Sequence, residues 1–220
     1  MVNLLLFMAS SGIVAGFSWY FLRLGQSALT AWIAILSLLA NLFVLKQIDF
    51  LGLNATASDV FAVGSLLSLN LLQEKFGAKA TQQAIWTSFS ALLFFAVISQ
   101  LHLLYEPSIY DQSQSAYELL LNPAPRILFA SLASFLIVDQ CDRVLYQWFR
   151  QKLPHLSMIW VSALTLCLSQ SLDTVLFSLL GLYGVVEAIL EIMLISFGIK
   201  LLVIANTVPW SLATQRLFSK

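Results

Sequence analysis

This sequence is short of charge. Lys and Arg number 11 and Asp and Glu 11 among 220 residues, 10% in all, against about 25% in an average soluble domain. A soluble domain of this length can bury a good core, but it cannot hide this many long apolar runs. Cysteine is almost missing too. Cys141 and Cys167 fall on different predicted helices, no CxxC occurs, and no disulfide framework is readable. HExxH, GxSxG and a Walker loop are all absent, so the expectation is that the chain is not an enzyme. His102 and His155 lie far apart, no ligand spacing suits a metal, and no cofactor is expected. The basic residues are dispersed, which gives no reason to expect nucleic-acid binding. There is no low-complexity tract and no long polar linker, so residues 1–220 are expected to form one transmembrane domain.

What is present is hydrophobe, 60% of the chain. Crossing the hydrocarbon layer takes about 20 apolar residues, within a range of ~17–25. The pattern predicts seven spans: Val2–Leu22, Ala28–Leu45, Ser58–Gln73, Ile85–Leu104, Ile127–Trp148, Met158–Leu180 and Val185–Thr207. The expected fold is therefore an all-α, polytopic membrane helix bundle. The third span is short and carries Gly64, Ser65, Ser68 and Asn70, which suits a tilted or bundle-facing helix. The first span has no basic residue before its apolar run, and that run exceeds the ~7–15 residues of a signal peptide. Its small residues Ala9, Ser10, Ser11, Gly12, Ala15 and Gly16 suit helix packing, so an uncleaved helix is expected.

Lys and Arg set the expected orientation. With a cytoplasmic C-terminus, Arg23, Lys75, Lys79, Arg143, Arg150, Lys152, Arg216 and Lys220 fall inside, eight of the eleven. Lys46 and Arg126 then sit at the outer boundary. The Tyr105–Ala124 loop holds Glu106, Asp111 and Glu118 and no basic residue, which suits the outer face.

Against this apolar background six ionisable residues stand out: Asp59, Glu74, Asp139, Asp173, Glu191 and Lys200. A charge at mid-bilayer costs at least ~2.5–3.5 kcal/mol on insertion scales, and such residues face a cavity, pair, or handle a substrate or ion. In the sixth span Gln170, Asp173 and Phe177 recur three and four apart and share one helical face. That face offers an amide, a carboxylate and a ring, which favours a binding site over an interhelical hydrogen-bond cluster. Lys200 lies too deep to reach the boundary easily, so a partner such as Asp173 or Asp139, or a polar ligand, is expected. Asn70 and Glu74 share a face at i,i+4. Glu74 suits either a binding role or an interfacial pairing with Lys75 or Lys79, and Gly77 suits a helix end. Asp59 opens its helix, where the dipole favours an acid, and capping is the preferred reading. Asp139 can pair with Arg143 four residues on. Asn41 is expected to bond another helix or a ligand. Glu187 is expected to be interfacial.

These residues carry a resemblance. Asn41 with Lys46, then Glu74-Lys75-Phe76-Gly77 with Ala80 and Ile85-Trp86, then Pro125-Arg126 with Ala130-Ser131 come in order along the chain. Asp139 with Asp142, Ser169-Gln170, Asp173-Thr174, Phe177, Lys200 and Pro209 follow. In order and spacing this set resembles the bacterial queuosine precursor transporters, vitamin-uptake-like integral membrane proteins, over roughly Leu36 to Pro209. Members often carry an aspartate where Asn70 stands and a glutamate or glutamine where Asp139 stands. They commonly begin with the helix matching Ala28–Leu45, so helix 2–22 looks additional to a core at 28–207.

The resemblance implies a six-helix core similar to the substrate-capture subunits of vitamin transporters. It implies uptake of a 7-deazaguanine base, in its cyano, aminomethyl or queuine form, across the bacterial inner membrane. The residues expected to bind it are Asn41, Asn70, Glu74, Asp139, Gln170, Asp173, Phe177 and Lys200. The partners expected are this purine-like small molecule and the lipid bilayer. The energy source stays open. Proton coupling needs a titrating carboxylate such as Glu191 or Asp139, and an ATP-driven partner or facilitated diffusion also fits. A capture subunit for another flat vitamin shares the pattern. So does a membrane scaffold whose buried polar residues only join helices.

Overall fold

The computed structural model describes residues 2–44, 46–50, 53–56, 58–122, 125–184 and 189–218. Val185, where the seventh span was expected to begin, Glu187 and Lys220 lie outside the described residues, as do the side chains of Glu191 and Arg216. The helices are α1 (Val2–Leu24), α2 (Gln26–Phe43), α3 (Asp59–Leu103), α4 (Gln114–Leu121), α5 (Pro125–Lys152), α6 (Met158–Phe177) and α7 (Ile189–Phe218). A π-helical turn, Ser178–Leu182, extends α6. Between α2 and α3 lies an antiparallel strand pair, β1 (Gln47–Phe50) and β2 (Leu53–Thr56), with Gln47 opposite Thr56 and Phe50 opposite Leu53. The fold is an all-α, polytopic membrane bundle with this hairpin as an appendage.

Among the described residues five helices are long and apolar enough to cross a membrane, six if α4 and α5, bent by 50°, are counted as one span. The expected third and fourth spans lie in one element. α3 runs for 45 residues and breaks only at Gly77, whose φ of 84° and ψ of 172° suit a residue without a side chain. Residues 59–66 and 92–100 line the same cavity, so the chain doubles back at this single glycine. α1 and α2 also meet at one residue, Gly25, with φ 110°.

The first limb of α3 (59–76) is the centre of the bundle. Every residue from 63 to 73 is buried, and a helix enclosed on all sides must satisfy its polar groups against neighbours. Ser68 Oγ donates to Ser18 Oγ of α1 at 2.9 Å. The Ser37 hydroxyl of α2 meets the Ser65 hydroxyl at 3.1 Å. Trp32 Nε1 donates to Ser18 Oγ at 3.0 Å, and its ring stacks on Phe21 with centroids 5.0 Å apart. These bonds tie α1 and α2 to the first limb. Ser11, Gly12 and Ala15 of α1 are buried, as packing by small residues requires.

At Gly64 the first limb of α3 lies close against α1. A Cβ there would sit 2.2 Å from Val14 Cγ1, and a β-branched valine has little rotamer freedom with which to yield. Gly64→Val is expected to destabilise the protein by about 1–3 kcal/mol through overpacking. A thermal melt in detergent checks this, and Val14→Ala should restore part of the loss.

Candidate functional site

Six helices converge on a cavity of about 220 Å³. Helical spacing puts the side chains there. Ser37 and Asn41 are four apart on α2, and Ser196 and Lys200 are four apart on α7. Ser131, Phe135 and Asp139 follow at the same step on α5, and Gln170, Asp173 and Phe177 hold the predicted face of α6. Both limbs of α3 contribute: Asp59, Ala62 and Ser65 from the first, Leu92, Ala96 and Ser99 from the second. Leu120 and Leu121 of α4 lie at one end, close to Gln100, whose Nε2 donates to Leu121 O at 2.8 Å.

A buried ion pair anchors the polar wall. Lys200 Nζ donates to Asp173 Oδ2 at 2.5 Å and to Thr174 Oγ1 at 3.3 Å. Both residues line the cavity, with the side chain of Lys200 6% exposed and that of Asp173 25% exposed. Asp59, at the N-terminal end of α3, is near enough to act on the charge of Lys200. Across the cavity Ser131 donates to Asn41 Oδ1, while Asn41 Nδ2 donates to Ser37 O at 3.0 Å. Two acceptors have no such arrangement. Asp139 Oδ2 and Gln170 Oε1 are buried without a hydrogen-bond partner, in residues 3% and 2% exposed. The Ser134 hydroxyl, which also lines the cavity, is likewise without a partner, and since buried polar groups are paired in the large majority of cases, these atoms suit a polar ligand or water in the cavity.

Of the eight residues expected to bind substrate, Asn41, Asp139, Gln170, Asp173, Phe177 and Lys200 line the cavity. Asn70 and Glu74 do not. Asn70 Nδ2 donates to Ser162 Oγ at 2.9 Å and Thr165 Oγ1 at 3.2 Å, joining α3 to α6. Glu74 lies at the far end of the first limb. Its carboxylate takes bonds from Arg150 Nη2 at 2.5 Å, Arg150 Nε at 2.9 Å and Tyr146 Oη at 2.8 Å. The partner of Glu74 is therefore Arg150, not its neighbours Lys75 or Lys79. Lys75 instead donates to Leu22 O at 3.1 Å. Arg143 turns to Gln140, with Nε 3.3 Å from Oε1, and Asp139 faces the cavity.

The Glu74–Arg150 pair is about one-third exposed, 29% and 30%. A pair this wet contributes ~0.2–1 kcal/mol. Glu74→Gln is expected to lower stability by no more than that and to leave ligand affinity unchanged, as a melt and a binding titration on the same sample would show.

Sequence reasoning undervalued Asp59, Ser131 and Ser134. Asp59 passes for a capping residue, and the dipole argument that sets it aside is also what places it at the cavity. A serine on an apolar helix gives no signal of its own. A spacing of Ser131, Ser134 and Asp139 along one face of α5 was the available clue. The π-turn was invisible as well. Arg126 holds it, with Nε donating to Leu180 O at 2.8 Å and Nη2 to Tyr183 O at 2.7 Å.

A family model described as "Putative vitamin uptake transporter" matches residues 56–214, which takes in every cavity helix except α2. A Bacillus subtilis (strain 168) protein named "Probable queuosine precursor transporter" is 30% identical over 196 residues, 88% of this chain and 86% of the relative. No solved structure matches.

Proposed function

This chain belongs to the vitamin-uptake-transporter-like family of queuosine precursor transporters, and from that premise we propose that it carries a 7-deazaguanine base inward across the bacterial inner membrane. The observation that carries the proposal is the pair of orphan acceptors, Asp139 Oδ2 and Gln170 Oε1, beside the Asp173–Lys200 pair. A deazaguanine presents N–H donors at N1 and the 2-amino group next to a carbonyl oxygen. The carboxylate of Asp173 accepts from the N1 edge, and the Lys200 ammonium beside it donates to the carbonyl. Asp139 and Gln170 accept the remaining N–H groups, including those of a 7-aminomethyl substituent. Phe177 covers the flat ring. The cavity, at about 220 Å³, is below the ~300–1,000 Å³ of clefts that take drug-sized ligands. That suits a bare base better than a large vitamin.

The proposed orientation follows the basic residues. Lys75 meets the end of α1, and Arg150 meets Glu74, at the end of the bundle remote from α4. With that end cytoplasmic, as the positive-inside rule prefers, the cavity lies toward the outer face, beneath α4 and the acidic loop. In that loop Asp111 accepts bonds from the Ser113 hydroxyl and backbone N–H, which hold its carboxyl below the usual range.

The test is uptake in a bacterial strain that neither makes nor imports queuosine precursors. Expression of this chain should restore queuosine to tRNA when the base is supplied outside. No queuosine, with the protein inserted in the membrane, would overturn the reading.

A further inference from the structure

Beyond the cavity lies a second buried polar cluster, which the binding reading does not use. Its centre is Asp142 of α5, one helical turn past Asp139 and 0% exposed. Asp142 does not line the cavity. Oδ1 accepts from the Ser169 hydroxyl of α6 at 2.7 Å, the Asn70 amide lies close enough to act on the carboxyl, and Oδ2 makes no hydrogen bond of good geometry. Nearby on α3, Asn70 Oδ1 and Gln73 Oε1 are also buried without partners, although the amide nitrogens of both are bonded. The atoms left over, Asp142 Oδ2, Asn70 Oδ1 and Gln73 Oε1, are all acceptors, so the cluster is short of hydrogen rather than of oxygen. A proton on Asp142 removes a buried charge and supplies a donor at once.

The surroundings give that proton a route. Near Asp142 stand Asp139 and Tyr146 on its own helix, Asn70 on α3 and Ser169 on α6, while Arg143 turns to Gln140 and Gln73 bonds the Arg143 carbonyl. Asp139 opens onto the cavity, where Asp173 and Lys200 of α6 and α7 stand. Tyr146 donates to Glu74, which is partly exposed at the other end of the bundle. Asp139, Asp142 and Tyr146 step along α5 by three and four residues, one face of one helix. Protonatable groups therefore stand at helical intervals between the cavity and the opposite end.

We propose that Asp142 is a proton-binding site that couples uptake to a proton gradient. The inference rests on the reading of the chain as a base transporter. A proton entering by the cavity forms the Oδ2–H bond, which leaves Asp142 neutral as the base enters. That bond breaks when the proton passes on toward Glu74. One proton is taken up on the cavity side and one released at the far end for each base.

Proteoliposomes and labelled 7-cyano-7-deazaguanine, an uncharged probe, test this. With the cavity side one pH unit more acidic and the membrane potential held at zero by valinomycin and equal potassium, the wild type should accumulate the base about tenfold, the limit for one proton per solute. A protonophore should abolish the accumulation, and a sodium gradient at equal pH should not replace it. Asp142→Asn, which places a permanent N–H where the proton would sit, should bind the base with wild-type affinity and exchange it across the membrane. It should show no gradient-driven accumulation. Accumulation by this variant at the wild-type level, a wild type indifferent to pH, or accumulation driven by sodium would each overturn the proposal. Should Asp142→Asn fail to fold, Asp142→Glu decides. It should keep coupling with a displaced pH profile, and an unchanged profile would refute the assignment. Lack of saturable binding by the folded wild type would instead strike the transport reading itself.

Discussion

Asp173→Ala is expected to cost about 3–5 kcal/mol of stability and to abolish ligand binding, because it strands a buried lysine. Lys200 would keep only Thr174 as a direct partner, with Asp59 acting on its charge from farther off. Its side chain is 6% exposed, and its other direct bond is the longer one to Thr174. A buried ammonium that loses its partner keeps its desolvation cost and gives up the compensating attraction. The two effects separate in a double variant. Asp173→Leu with Lys200→Met removes both charges and fills their space, so its melting temperature should return close to that of the wild type. Binding should stay lost, since the groups that read the N1 edge and the carbonyl are gone. Recovery of both properties would mean that the pair is structural only.

Asp139→Leu should do the opposite to stability. The wild-type carboxylate has a buried oxygen with no donor, and an unsatisfied buried group costs ~1–3 kcal/mol. Its replacement by an apolar side chain of similar size should leave the protein as stable or more so, up to that amount. Affinity for the base should fall roughly tenfold, which corresponds to a lost hydrogen bond at ~0.5–1.5 kcal/mol. A site that holds acceptors in readiness gives up stability for recognition, and the variant should expose that exchange. Unchanged affinity in the stabilised variant would remove Asp139 from the binding wall.

Much of this arrangement could be read from periodicity. The face shared by Gln170, Asp173 and Phe177 needs only the helical repeat, and the structure puts all three at the cavity. Lys200 was legible by exclusion, since a lysine two turns from the boundary needs a partner, and Asp173 is that partner. The enclosure of the first limb of α3 followed from its small and polar residues. What stayed hidden depends on contacts remote in sequence or on single-residue geometry. Glu74 and Arg150 are 76 residues apart, and nothing local favours that pairing over Lys75 or Lys79. The expected third span ended at Gln73 and the fourth began at Ile85, with Gly77 read as a helix end. The stretch between them is helix on both sides of Gly77, because one glycine with positive φ can reverse the chain without a linker. The i,i+4 spacing of Asp139 and Arg143 suggested an ion pair, but the cavity draws the acid away. Short elements such as β1, β2 and α4 are too brief for hydropathy to reveal.

The measurement that bears most directly on the cavity as the binding site is a calorimetric titration of 7-deazaguanine into the purified wild type and into Ala96→Phe. Ala96 lines the hollow from the second limb of α3, and a phenyl group there should fill it without touching the ion pair. The wild type should bind one base per chain saturably, and the folded variant should bind none. Equal binding by both proteins would place the base elsewhere and contradict the account.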